Sequence, residues 1–180
     1  MVREIEENEL EILKEDPVRP HLEKIGSGKQ VFVLDDLSAV ICVCHCKEVP
    51  TSEEELELFK LEDSPCIGVC KLDENDICLG CGRTMDDIRE RFTTGSIAVA
   101  YTVWSNKPGA GRTIVNELQA LVKESYSIKR LVTLSPLTEM ATKFHIRNGA
   151  KLINKSETCQ NFEYNIAERV VCYEDDGYCD

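Results

Sequence analysis

The order of apolar and polar positions divides the chain into short strands and amphipathic helices. Residues 97–104, Ile-Ala-Val-Ala-Tyr-Thr-Val-Trp, are a continuous β-rich run that reads as a buried strand. A helical pattern follows, with Ile114, Val115, Leu118, Leu121 and Val122 recurring on one face. Upstream, residues 30–34 and 39–46 read as two strands joined at Asp35-Asp36. Residues 2–13 are acidic and predict a short first helix, and Pro17 and Pro20 bracket a turn beyond it. The run Thr51-Ser52-Glu53-Glu54-Glu55 carries a helix-start signature, with Leu56 and Phe59 spaced to anchor one turn. Residues 131–135 predict another strand. Ser135 then serves as N-cap and Pro136 as first helical residue of a segment whose apolar face is Leu137, Met140, Ala141 and Phe144. Asn148-Gly149 stops that helix, and residues 151–153 and 161–166 supply the last two strands.

Between the central strand and its helix lies Asn106-Lys107-Pro108-Gly109-Ala110-Gly111-Arg112. Two glycines one residue apart let a ligand approach the backbone, and a helix start offers free N–H groups and a positive dipole end. Such a strand–loop–helix suits a phosphate; the competing reading is a plain tight turn. There is no G-x-x-x-x-G-K-[ST], and the third glycine of the dinucleotide fingerprint is lacking.

Length and charge narrow the field. At 180 residues the chain accommodates one domain of ordinary size plus a small module. A net charge of −12 argues against nucleic acid and anionic membrane as partners, and suits cationic ones, amines included. The first residues lack the basic and apolar regions of a signal peptide, and no apolar run approaches a membrane span, so a cytoplasmic location is expected. Ten cysteines in that compartment are metal ligands or buried thiols rather than a disulfide framework.

Seven of those cysteines fall into two groups, while Cys159, Cys172 and Cys179 have no metal-like spacing. Along residues 39–46, Ile41, Val43 and His45 face one way and Cys42, Cys44 and Cys46 the other. Same-face neighbours on a strand lie about 6.5–7 Å apart, which favours core packing over a shared metal. Cys66, Cys70, Cys78 and Cys81 differ, being spaced as C-x3-C-x7-C-x2-C in a stretch too polar to bury a core. A thiolate-bound ion, Zn2+ or alternatively an iron–sulfur cluster, would supply the missing folding energy. Gly68, Gly80 and Gly82 free backbone N–H groups to turn toward the sulfurs.

Two family resemblances rest on these residues. Asn106-x-x-Gly109-x-Gly111 resembles the acetyl-CoA loop [QR]-x-x-G-x-[GA] of the GNAT acyltransferases, with Asn106 in place of Gln or Arg. Thr138-x-x-Ala141-x-x-Phe144-His145-x-x-x-Gly149-Ala150 is similar to the family's N-x-x-A-x-x-[FL]-Y-x-x-x-G-F, with Thr138, His145 and Ala150 changed. The resemblance spans residues 30–46 and 96–166. It implies an α/β (α+β) fold, a GNAT-like mixed central sheet flanked by helices, built from residues 1–62 and 92–168 with an abbreviated N-terminal part. The four-cysteine module, residues 63–91, would be inserted between two sheet strands, and 169–180 would be an acidic, disordered tail. Residues 64–89, Ser-Pro-Cys-x-Gly-x-Cys through Cys-x-Gly-Cys-Gly-Arg-Thr, look like a small bacterial domain family of unknown function.

The first resemblance implies acyl transfer from acetyl-CoA or another acyl-CoA to an amine. The strand backbone around Val103 would hold the pantetheine arm. Gly109, Ala110, Gly111, Arg112 and Thr113 would hold the pyrophosphate, with Lys107 adding charge. His145 stands where the family has its thiolate-protonating tyrosine and would be the general acid. No general base is legible; Ser135 and Glu139 are merely nearby in sequence. The second implied reading is a non-catalytic scaffold that displays the metal module to a protein partner.

Overall fold

A computed structural model describes residues 1–26, 28–61, 74–75, 96–124 and 128–166. Cys66, Cys70, Cys78, Cys81 and the tail expected at 169–180 lie outside the described residues. The strands are β1 (Val2–Glu4), β2 (Lys29–Leu34), β3 (Ala39–Cys46), β4 (Ser96–Ser105), β5 (Ile128–Thr133), β6 (Ser135–Pro136), β7 (Lys151–Lys155) and β8 (Cys159–Tyr164). They join in one sheet ordered β1-β2-β3-β4-β5-β8-β6, with β7 also on β8. Among the described residues β4–β5 is the one parallel pair. The helices are α1 (Glu53–Phe59), α2 (Ala110–Lys123) and α3 (Glu139–Arg147), preceded by a 3-10 segment, Glu7–Glu15.

Both faces of the sheet are covered, which is why β2 and β3 read as unbroken apolar runs. On one face Ile114, Leu118 and Val122 of α2 pack with Phe32, Ile41, Val43, Ala98 and Leu131. Fully burying a side chain of that kind stabilises by roughly 1.5–3 kcal/mol, so α2 is fixed to the sheet by its stripe. On the other face Val33, Cys42, Cys44, Cys46, Val99, Tyr101 and Leu134 lie under Leu56 of α1 and Ile12 and Leu13 of the 3-10 segment. The three β3 cysteines are thus core residues, as their alternation predicts. Their sulfurs come closer than backbone spacing suggests, however: Cys44 Sγ and Cys46 Sγ are 3.9 Å apart. Among the described residues no third ligand joins them.

Three expectations are corrected. The first residues are not helical: Val2–Glu4 pairs with β2, Val2 opposite Leu34 and Glu4 opposite Phe32. A ladder offered by a distant strand outweighs weak local helix preference, and the helix that follows is 3-10 rather than α. Ser135 does not cap α3. It pairs with Gln160 in β6, and its hydroxyl lies 2.8 Å from that of Thr133. Thr138 is the cap, accepting from the Ala141 amide at 3.2 Å. Finally, the expected apolar face of α3 is only partly covered: Met140 is 82% exposed while Phe144 packs against the core, and the buried side chain of that helix is His145.

The segment between α1 and β4 leaves and returns at one place. Cys46 is paired with Ile97 in β4 and bridged to Lys60 on its other side, and the Leu61 amide donates to the His45 carbonyl at 2.6 Å. Gly28 permits this closure: its φ is +76°, and a Cβ there would sit 2.1 Å from the Leu61 carbonyl oxygen.

Candidate functional site

The site begins with an irregularity in β4. Against β3, Cys42 pairs with Thr102 and Val43 with Ala100, so Tyr101 is the extra residue of a β-bulge. On the other edge β4 and β5 stay paired as far as Ala100 and Thr133, and the Leu134 amide donates to the Ala100 carbonyl at 3.0 Å. Beyond that bond β4 continues to Ser105 while β5 has ended. The strands therefore part in a V. A cavity of about 310 Å³ occupies it, lined by Ala100, Tyr101, Val103 and Trp104 from β4, Leu134 and Ser135 from the β5 side, and Met140, Phe144 and His145 from α3.

The N-terminus of α2 borders this cavity through Gly111. Gly109 is its N-cap in the left-handed region, φ +83°, where a side chain would be strained. The Ala110 amide is bonded to the Lys107 carbonyl and the Thr113 amide to the Gly109 carbonyl, each at 3.1 Å. The amides of Gly111 and Arg112, in the first turn, have no helical carbonyl four residues back and are the donors left for a ligand. Gly111 also seats α3, since a Cβ there would approach the Phe144 ring to 3.3 Å. The Thr113 hydroxyl donates to the Gly109 carbonyl, at 3.1 Å, and so braces the loop.

A second hollow, about 480 Å³, adjoins this loop and is lined by Gly109, Gly111, Arg112, Lys143, Phe144, Arg147 and Asn148. Three cations border it, Arg112, Lys143 and Arg147, of which Lys143 is ion-paired with Glu139 at 2.9 Å. Lys143 and Arg147 were not singled out from the sequence; their four-residue spacing on α3 was the available signal. Lys107 lies 3.9 Å from Asp36 and borders, with Gly109, Ala110 and Thr113, a separate hollow rather than the V or this one. Val103, Gly109, Ala110, Gly111, Arg112 and Thr113 are gathered along β4 and the first turn of α2.

His145 borders the cavity from α3. Its Nδ1 lies 2.7 Å from the Tyr164 hydroxyl, and its ring packs against Phe144 edge-on and against Phe162. Burial pushes its pKa down to about 4, so the ring is neutral at pH 7. Burial also raises the pKa of Tyr164 and keeps that hydroxyl protonated. In the tautomer in which Tyr164 donates to Nδ1, Nε2 carries the ring hydrogen. The resting ring is therefore a neutral hydrogen-bond donor, not the imidazolium that an unperturbed histidine near neutrality suggests.

On the opposite face, sequence reading missed a polar group built by residues 16–24. Arg19, 3% exposed, reaches the parting strands and donates from Nη1 to the carbonyls of Tyr101 and Leu134, the latter at 2.6 Å. Its Nε donates to Glu53 Oε2 at 3.2 Å, and the other Glu53 oxygen meets His21 Nε2. Asp16 Oδ1 accepts from the amides of Val18 and Arg19 and from the Thr102 hydroxyl, while Oδ2 forms an ion pair with Lys24 at 3.1 Å. Burial alone would raise the Asp16 pKa, but these donors hold it below the ordinary value.

Comparison with known proteins bears on the fold and on the inserted segment. The fold resembles that of Arabidopsis thaliana NAA60 in complex with acetyl-CoA: the TM-score is 0.50 at 12% identity, covering 91% of this chain and 96% of that one. The same protein with a bisubstrate analogue gives 0.49 at 13% identity, covering 91% and 97%. Malonyl-CoA decarboxylase from Cupriavidus metallidurans gives 0.44 at 13% identity, over 81% of this chain and 33% of that one. The chain thus has a GNAT-like mixed α/β fold. Residues 64–93 match a family described as "Protein of unknown function (DUF1289)". No curated protein matches the sequence.

Proposed function

We propose that the chain is an acyl-CoA-dependent acyltransferase that transfers an acetyl or other acyl group to an amine. One observation carries this reading: the bulge at Tyr101, the V between β4 and β5, and the Gly109-capped helix start all border one cleft. A pyrophosphate meets the Gly111 and Arg112 amides, and the cations Arg112, Lys143 and Arg147 offset its charge. The pantetheine arm lies along β4 past Val103, and the thioester reaches the apex of the V.

In the reaction the amine nitrogen attacks the thioester carbonyl carbon, the C–S bond breaks, and its electron pair leaves on sulfur. The proton shed by the amine as the amide forms balances the one the thiolate gains. Neutral His145 offers Nε2–H to that sulfur as charge develops on it, held in place by Tyr164. Acetyl-CoA and CoA should each raise the melting temperature of the purified protein, and ATP should not. An unchanged melting temperature at millimolar acetyl-CoA would end this reading.

A second reading is favoured by Arg19, which ties the two diverging strands together from the face opposite α2. In it the fold is a non-catalytic scaffold. In both readings Cys66, Cys70, Cys78 and Cys81 hold Zn2+ or an iron–sulfur cluster in an inserted module that a protein partner can engage. Their spacing supports this, as does the closeness of the insertion's ends beside Cys46.

A further inference from the structure

The cavity in the V touches both faces of the sheet. Gly111 lines it beside the glycine loop, whereas Pro17 and Val18 line it from the segment on the opposite face. Both of those residues are exposed. Among the described residues no Asp, Glu, Lys or Arg lines the cavity. Its walls are chiefly Val18, Tyr101, Val103, Trp104, Leu134 and Met140. The polar side chains that remain are hydroxyls, Ser135 and Thr138 among them, and His145, which burial keeps neutral at pH 7.

The carboxylates of the adjoining segments are already committed. Asp16 is buried, ion-paired with Lys24 and bonded to Thr102. Glu53 is held by Arg19 and His21, and Glu139, at the start of α3, pairs with Lys143. Apolar groups meet solvent here instead: Val18 and Met140 are exposed, and so is Leu137, between Pro136 and Thr138 of the lining. We propose that the acceptor is an amine that is uncharged at neutral pH and carries an apolar group, an aromatic amine being the simplest case, rather than an aliphatic ammonium or a polyamine. The proposal rests on the acyl-CoA reading. An ammonium would leave water for walls that offer it no counter-charge, and an aromatic face returns only part of its lost hydration. An aromatic amine avoids that loss. Its ring buries against Val18, Trp104 and Met140, and its nitrogen needs no base to strip an ammonium proton before it attacks. The chain's net charge of −12, which by itself suits cationic amines, is not expressed in the lining of this cavity.

The test is a competition at pH 7 between 4-methylaniline, its isomer benzylamine, which is protonated there, and spermidine, with acetyl-CoA as donor. Products are separated by chromatography, counted by mass spectrometry and corrected for the reaction without protein. Wild type should acetylate 4-methylaniline at least ~10-fold faster than either cation. Val18→Asp sets a carboxylate on the exposed lip and should cut that preference by ~10-fold or more. Should Val18→Asp not fold, Met140→Glu carries the same expectation; failing both, the wild-type ratio decides. Benzylamine or spermidine acetylated as fast as 4-methylaniline, or a preference unmoved by the variant, overturns the proposal alone. So does acetyl-CoA that binds with none of the three amines acetylated. Failure of acetyl-CoA to bind wild type, read as an unchanged melting temperature, overturns the acyl-CoA reading with it.

Discussion

Nδ1 of His145 lies 2.7 Å from the Tyr164 hydroxyl, tying α3 to β8 beneath the cleft. This pairing fixes the orientation of the ring and leaves Nε2 as its other nitrogen. The first prediction follows from it. His145→Phe should lower kcat by ~10²–10³-fold with little change in acyl-CoA affinity, the usual span for losing one hydrogen-bond donor to developing charge. Tyr164→Phe should lower it less, since the ring stays but its orientation is freed. A wild-type rate in His145→Phe, with any accepted amine, would make the residue a packing element.

The same burial makes His145 a pH liability. Its pKa falls from 6.5 unfolded to about 4 folded, so between those values the unfolded chain binds more protons. Stability should be level with respect to this residue above about pH 6.5 and decline as pH falls toward 4, by up to about 1.4 kcal/mol per unit. Urea titrations at a series of pH values should show that decline in wild type. Its persistence in His145→Phe would assign it to other groups.

Gly109 and Gly111 should fail differently when substituted. Gly109→Val forces a β-branched residue to φ +83°, costing roughly 1–2 kcal/mol, and crowds the phosphate loop. Acetyl-CoA affinity should fall by ~10-fold or more. Gly111→Ala sets a methyl 3.3 Å from the Phe144 ring, so it should move α3 slightly and lower stability by roughly 1 kcal/mol. Unaltered ligand affinity in Gly109→Val would remove the loop from the binding site.

Arg112 and Arg147 border the hollow beside that loop. Replacing either by Ala should weaken CoA by about threefold to tenfold and flatten the salt dependence of binding, since exposed charges act through a screened field. Lys107→Ala, whose side chain turns toward Asp36, should leave CoA affinity unchanged. An equal effect from all three would mean a diffuse field rather than a phosphate site.

For the inserted segment, purified protein should carry about one metal centre per chain. Cys78→Ser with Cys81→Ser should release it while the sheet domain keeps its thermal transition, because the chain leaves and re-enters that domain beside Cys46. Elemental analysis and absorption spectra would separate zinc from iron–sulfur. Four freely titrating thiols in protein prepared without oxygen would discard the metal.

Local pattern alone located β2, β3, β4, α2 and the final strands, because their apolar positions repeat with the period of the element they form. It also placed the glycine loop before α2 and the three β3 cysteines in the core. It could not find β1, since Val2–Glu4 is a strand only through β2. Nor could it start α3 at Thr138, because the ladder from β8 claims Ser135 and Pro136. The neutrality of His145 comes from burial against Phe162 and Tyr164, distant in sequence. Arg19 looked like one residue of a proline-bounded turn. Only the folded chain sets it between Tyr101 and Leu134, 82 and 115 residues away. Periodicity is a property of neighbours along the chain, whereas a cleft and its charges are made by strands that diverge in space.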